Sequence, residues 1–262
     1  MGMFRLAQRL AGLAGVDLVP RRYWSPIPYD VPEDVWTRRS PLAGIEFDVD
    51  AQAELFERIA EHTRGWSPPA DRRMYVGMDA IALYGMLREL APGRVVELGS
   101  GVSTDIIRQA LGRPHEVYDP YRNERTELAV DPVSATDVPF EVFRRLESGD
   151  VLFVDTSHTV KVGSDVNRIV LDILPTLAPG VVVHLHDVFL PFEYQRDWAE
   201  RGLFWAEQYL LQAFLIGNRD WEVLLGCAAV QDARPELVSR YASEPHDPGN
   251  RPGAFWIRRR SA

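Results

Sequence analysis

Two short stretches carry residue types that do acid–base or metal chemistry: Asp155-Thr156-Ser157-His158 and His186-Asp187. Each follows a short apolar run, Val151-Leu152-Phe153-Val154 in the first case and Val181-Val182-Val183-His184-Leu185 in the second. Apolar runs of this length between turn residues read as buried strands, so both acids fall where a strand gives way to a loop. Oxygen and nitrogen ligands on neighbouring strand ends can hold a divalent cation, with Asp155, His186 and Asp187 as the candidate set. Carboxylates suit Mg²⁺ or Mn²⁺, and an imidazole moves the preference towards Fe²⁺, Zn²⁺ or Mn²⁺. Such a cation would lower the pKa of a bound hydroxyl and polarise it. His158 is the candidate general base, with Asp155 beside it in the catalytic pair, because an ordinary histidine takes a proton near neutrality. The plainer alternatives are a loop histidine bonded to a carbonyl at 158, and a turn-capping aspartate beside a packed histidine at 186–187. His184, on the same strand face as His186, reads as a buried structural histidine, and Lys161 either joins the site or stays exposed.

A second constellation lies upstream, in Arg94-Val95-Val96-Glu97-Leu98-Gly99-Ser100-Gly101-Val102-Ser103-Thr104. A buried strand that ends in Gly-x-Gly and opens a helix lets backbone approach a nucleotide-like ligand, and the helix N-terminus favours an anionic group. Ser103 or Thr104 is expected to cap that helix. The third glycine of the dinucleotide fingerprint is absent, because Thr104 stands in its place; this disfavours a nicotinamide-dependent oxidoreductase. Asp119, ending the apolar run after His115, can accept two hydrogen bonds from ribose hydroxyls. Asp131, Val133 and Ser134 are candidates for an adenine edge. Together these stretches put Glu97, Asp119, Asp155 and Asp187 on four successive strand ends.

The elements that must position these residues alternate. Helical spacing is expected over Asp50–Thr63, Met78–Leu90, a helix through Leu111, Phe140–Leu146, Asp165–Leu177, Leu203–Ile216 and Pro235–Tyr241. Strands are expected at Arg94–Glu97, His115–Asp119, Thr126–Val130, Val151–Asp155, Val181–Val188, Trp221–Gly226 and Ala254–Arg258. Strands alternating with helices imply an α/β fold with a mostly parallel, seven-stranded sheet closed by an antiparallel pair. Residues 1–72 read as an extension: an amphipathic Met1–Leu18, a Pro-rich arm over Pro20–Pro41 with Tyr23, Trp24, Tyr29 and Trp36 as pins, and a helix. Residues 73–262 form the ligand-binding domain. The Met1–Leu18 helix can meet a membrane surface or a partner subunit, packing on its own domain being the plainer option. The aromatics Phe189, Phe192, Tyr194, Trp198, Phe204, Trp205 and Tyr209 crowd the stretch after the fifth strand, where they would cover a pocket or fill a core.

The chain has 262 residues, 46% of them apolar, with a formal net charge of −9. That balance argues against nucleic acid as the partner, since phosphate binding wants a basic surface. The single cysteine, Cys227, fits a reducing compartment, so a cytoplasmic location is expected. No uncharged apolar stretch is long enough to span a bilayer.

With these motifs in hand, the chain resembles the class I S-adenosylmethionine (SAM) methyltransferases, and within them the small-molecule enzymes of the "methyltransferase domain 24" type. The resemblance rests on Glu97-Leu98-Gly99-Ser100-Gly101-Val102-Ser103-Thr104, Asp119-Pro120, Asp155-Thr156-Ser157-His158 and His186-Asp187. It runs from about Tyr75 through Trp221. It implies a Rossmann-like fold, with SAM at Glu97, Gly99, Ser100, Gly101, Ser103, Thr104, Asp119, Ser134 and Asp155. Metal-assisted O-methyltransferases acting on macrolide sugars look related. Their metal acids map onto Asp155 and Asp187 and their base onto His158, with His186 standing where they often carry a carboxylate. The resemblance therefore implies methylation of a hydroxyl on a sugar or other natural product, with Mg²⁺, Mn²⁺ or Fe²⁺ as the assisting ion. Separately, the N-terminal extension offers a surface for a homo-oligomer. A non-catalytic SAM- or nucleotide-binding module and a metal-dependent hydroxylase-like relative are the alternatives on the same fold.

Overall fold

A computed structural model describes residues 3–20, 22, 24–25, 27–69, 75, 77–121, 129–242 and 251–261. After helix α1 (Met3–Leu13), the arm holds a short 3₁₀ turn (Glu33–Thr37). Helix α2 (Val49–Ala60) follows, capped by the Asp48 carboxylate on the amides of Asp50 and Ala51. Helix α3 (Gly77–Leu90) leads into strand β1 (Val95–Leu98), helix α4 (Val102–Leu111) and strand β2 (Glu116–Tyr118). Helix α5 (Phe140–Arg144) precedes β3 (Val151–Val154), and α6 (Asp165–Arg168) precedes β4 (Val182–Leu185). Helices α7 (Arg196–Glu200) and α8 (Glu207–Leu215) then lead to β5 (Trp221–Gly226), α9 (Cys227–Ala233), α10 (Pro235–Tyr241) and β6 (Phe255–Arg259).

Among the described residues the sheet has six strands in the order β2-β1-β3-β4-β6-β5, one fewer than expected. The strand read at Thr126–Val130 lies mostly outside the described residues; just after it, Asp131 bridges to Tyr118 in parallel fashion. β2, β1, β3 and β4 are parallel, and β6 runs antiparallel between β4 and β5, the closing pair the sequence implies.

Strand alternation divides the interior in two, because successive side chains point to opposite faces. Val95, Phe153, Val182 and Trp256 pack with α2, α3, α4, α9 and α10 on one face. Val96, Leu152, Val154, Val183 and Ile257 pack with α5, α6 and α8 on the other. Across the first face, Phe153, His184 and Trp256 are register partners on adjacent strands. The His184 ring stacks on Phe153 at 4.4 Å and meets Trp256 at 4.6 Å, a cross-strand row of rings that covers the imidazole.

Several boundaries differ from the sequence reading for identifiable reasons. The expected Asp165–Leu177 helix is α-helical only to Arg168, then becomes a π segment (Ile169–Ile173) and a 3₁₀ turn (Leu174–Thr176). Pro175 has no N–H to bond the carbonyl four residues back, so the ladder shifts register around it. Helix α8 starts at Glu207 instead of Leu203 because its first amides bond to a residue of another loop, described below. Helix α9 was not expected. The arm is tied down by backbone at its end: Arg39 bridges to Phe192, and the Ser40 amide donates to the Pro191 carbonyl. Trp24 is exposed, and Tyr23 lies outside the described residues. Helix α1 has no buried residue.

Candidate functional site

The register lines up the carboxyl ends of the parallel strands. Leu98 pairs with both Tyr118 and Val154, and Val154 pairs with Leu185. The ladder continues one step further: the Gly99 amide donates to Tyr118, Asp155 to Leu98, and His186 to Val154. Gly99, Asp119, Asp155 and His186-Asp187 therefore share one edge of the sheet, where ligands of open α/β sheets sit. Glu97 is the exception to the reading of four strand-end acids. It lies inside β1, pairs with Val117 and Phe153, and is fully buried.

Glu97 works on the turn from below. Its Oε1 accepts from the hydroxyls of Ser103 (2.8 Å) and Thr104 (3.1 Å), and its Oε2 meets His115 Nε2 at 2.6 Å. Burial pushes the Glu97 carboxyl above its ordinary pKa, and these bonds only partly offset it. Neither Ser103 nor Thr104 takes the N-cap position, and both hydroxyls are turned to Glu97, Thr104 Oγ1 also closing the first turn of α4. The N-cap position is Gly101, whose amide donates to Thr104 Oγ1 at 3.0 Å.

Gly99 has φ of 89°, a left-handed conformation suited to glycine. A Cβ there would come within 1.8 Å of the Asp155 carbonyl oxygen, so the turn packs directly on the backbone of the second motif. Asp119 Oδ2 accepts from the Ser100 amide (2.9 Å) and hydroxyl (2.7 Å), and Oδ1 accepts from the Tyr121 amide (2.8 Å). Ser134 stands in the turn after Asp131, accepting from the Thr136 hydroxyl at 2.8 Å.

The densest polar cluster surrounds His158. Its Nδ1 lies 2.8 Å from Glu207 Oε2, and its Nε2 lies 3.1 Å from Asp155 Oδ1 and 3.5 Å from Asp187 Oδ2. The His158 carbonyl accepts from the amides of Ala206 (2.9 Å) and Glu207 (3.2 Å), the start of α8. One residue thus receives a helix N-terminus on its backbone and that helix's first carboxylate on its ring. His158 and Asp187 have φ of 53° and 56°, which β-carbon sterics disfavour. At Asp187 the neighbouring glycine explains the fit, since a Cβ on Gly253 would fall 2.9 Å from the Asp187 Cα.

Burial pushes the His158 imidazolium down, yet the hydrogen bonds it donates to Asp155 and Glu207 outweigh it and hold its pKa well above the ordinary histidine value. Asp155, against the same opposing burial, is held down to about 2 by its bond to His158 and by His186. Burial pushes Glu207 and Asp187 up.

Asp155, His158 and Asp187 offer ligand atoms that all lie within 4.8 Å of one another. The structure thus gathers His158, not His186, with the two aspartates. His186 Nε2 is 3.8 Å from Asp187 Oδ1, and its ring stacks on Tyr75 at 4.6 Å. Sequence reasoning missed two acids, the buried Glu207 and the half-buried Asp79. Glu207 opens a helix of otherwise ordinary pattern. Asp79, in the first turn of α3, accepts from the amides of Gly253 (3.1 Å) and Ala254 (2.9 Å). Of the aromatic crowd, Trp205 adjoins the His158 ring at 4.4 Å, and Trp198 packs on Trp205 at 4.7 Å. Phe189, Phe192 and Tyr194 form a buried cluster of their own.

A family model described as a methyltransferase domain matches residues 96–188, from β1 through the Asp187 turn. No curated protein matches the chain. A crystal structure of the SAH-bound Podospora anserina methyltransferase PaMTH1 is 20% identical, covering 81% of this chain and 88% of that one at a TM-score of 0.42. A Thermobifida fusca protein described only provisionally as a methyltransferase is 16% identical, covering 79% and 94% at a TM-score of 0.36. At such scores neither likeness adds weight to the strand-end geometry. The family match coincides with the β1 turn, the Asp119 loop and both motif loops around His158, so residues 96–188 are similar to a methyltransferase domain over the stretch that builds the strand-end edge.

Proposed function

We propose that the protein transfers a methyl group from SAM to a hydroxyl of a small molecule, a sugar or another natural product, with His158 taking the hydroxyl proton. The observation that carries this reading is His158 itself: ring and carbonyl both tied to the start of α8, Nε2 facing two carboxylates, on the edge shared with the Gly99 turn. SAM supplies a sulfonium methyl that needs no further activation. The residues fit such a donor. After its bonds to Ser100 and Tyr121, Asp119 retains acceptor capacity for a ribose hydroxyl, and the Ser100 hydroxyl can turn to admit a second. With Nδ1 committed to Glu207, Nε2 is the atom that receives the proton once the ring is neutral; the carboxylates that stabilise the imidazolium move that neutral form to alkaline pH, so turnover should rise with pH above neutrality. Trp205 shields that ring on one side. A cytoplasmic setting fits the single, buried cysteine.

A second reading is favoured by the ligand spacing of Asp155, His158 and Asp187. A divalent cation held by this trio would lower the pKa of an acceptor hydroxyl, and one imidazole with two carboxylates suits Mn²⁺ or Fe²⁺ better than Mg²⁺. The two readings exclude each other at one atom, since Nε2 cannot both ligate a metal and take the proton. Calorimetry with SAM, then detection of S-adenosylhomocysteine against a panel of hydroxylated acceptors, tests the reaction. Absence of SAM affinity would overturn it, and binding without turnover on any acceptor would favour the non-catalytic module. Turnover unchanged in metal-free enzyme assigns His158 as base; loss on EDTA treatment with recovery on adding Mn²⁺ assigns it as ligand.

A further inference from the structure

Helix α1 stands apart from everything the methyl-transfer reading uses. Met3, Leu6, Leu10 and Leu13 recur at helical spacing, and each is at least half exposed. Arg5, Gln8, Arg9 and Gly12 make the opposite face. At Gly15, with φ of 71°, the helix stops, and the Val16 amide closes back on the Ala11 carbonyl. Gln8 Nε2 then donates to the Leu18 carbonyl at 2.9 Å, folding the following chain against the helix. Val16, Leu18 and Val19 in that following chain are exposed as well. Beyond them Trp24 is 66% exposed, with the Arg22 guanidinium over its ring.

Charge distinguishes the occupants that such a surface could take. The first 22 residues hold four arginines and one acid, Asp17, in a chain whose net charge is −9. Positive charge is therefore concentrated on a segment whose apolar face is unburied. A second copy offers that face little: the other exposed large hydrophobics, Tyr121, Val160, Val162, Leu171, Tyr209 and Ile216, are spread over several loops and helices. Another α1 would bring like-charged arginines together. A bilayer bearing anionic headgroups meets both demands, taking the leucines between its acyl chains and the arginines at its phosphates. An exposed tryptophan beside arginine suits the same interfacial depth. Helix α1 is too short to cross, and no helix among the described residues is long and apolar enough to do so.

We infer that helix α1, with the exposed Val16, Leu18, Val19 and Trp24 after it, docks the protein on an anionic lipid surface, α1 lying in the interface with the acidic domain held outside it. The test is co-sedimentation of the full-length protein with sucrose-loaded vesicles, either equimolar phosphatidylglycerol and phosphatidylcholine or phosphatidylcholine alone. Binding is expected to the first and at least about tenfold weaker to the second. The double variant Arg5→Gln/Arg9→Gln should partition about thirtyfold less, at roughly one kcal/mol per cation. Leu6→Gln/Leu10→Gln should bind neither vesicle. Both variants should keep the parent's melting temperature, since α1 buries nothing. Equal partition into both vesicles, or wild-type binding by the leucine variant, would overturn the inference. So would a lipid-free dimer that the leucine substitutions convert to monomer, because a second copy would then cover the face.

Discussion

His158 gathers more constraints than any other residue at the strand-end edge, and its substitution is correspondingly informative. If it takes the acceptor proton, His158→Gln should lower kcat by about 10² to 10⁴, with SAM affinity measured by calorimetry nearly unchanged. Glu207→Gln keeps the shape but weakens the hold on Nδ1, so kcat should fall about ten- to a hundredfold with a displaced pH profile. A purely structural role for Glu207 would instead lower the melting temperature and leave the profile in place. Gly99 tests the link between the two motifs. Gly99→Ala places a methyl against the Asp155 carbonyl at a left-handed φ. It should cost at least about 2 kcal/mol in urea unfolding, and calorimetry should show lost SAM binding as well.

At the scale of elements, the site is braced from both ends of the chain. α8 delivers Glu207 and its first amides to His158, while α3 delivers Asp79 to the amides that open β6. Gly253 in turn packs on Asp187, and the Val188 amide donates to the Gly253 carbonyl. Asp79 therefore stabilises Asp187 through a contact one step removed. Burial pushes the Asp79 carboxyl up, with the two amides and His186 opposing it. Asp79→Ala would orphan both amides and should destabilise the fold by about 2–4 kcal/mol. Hydrogen exchange should quicken at Gly253 and Ala254 in this variant; unaltered protection there would remove the brace from the account.

For the whole molecule, the buried His184 ties stability to pH. Burial pushes its pKa well below the ordinary histidine value, and the nearby His186 adds to the effect. The unfolded chain takes up a proton near pH 6.5 that the folded chain refuses. Stability from this group is therefore complete above that pH and declines as the solution is acidified, by up to about 1.4 kcal/mol per pH unit. His184→Phe, which keeps a ring between Phe153 and Trp256, should flatten that slope in urea titrations between pH 6.5 and 5. An identical slope in both proteins would move the effect to other groups.

The order of strands and helices was legible in the sequence because apolar runs and glycine turns are local signals. The β1 turn, the acid after β2 and the motif loops after β3 and β4 could all be read from residues a few positions apart. What the sequence left open are contacts between residues far apart in the chain. Nothing near Glu207 marks it as the partner of His158, 49 positions away. Nothing near Asp79 marks it as the acceptor for Gly253 and Ala254. Glu97 read as a strand-end acid, but β1 runs one residue further, and the pleat turns its carboxylate towards α4 and His115. His186 and His158 were equivalent candidates beside Asp187 until packing sent one ring to Tyr75 and the other to the two aspartates. Sequence determined which groups stand at the strand ends, because that depends on pattern. The tertiary structure alone decided which of them face one another, because that depends on register, loop conformation and the helix that closes over the edge.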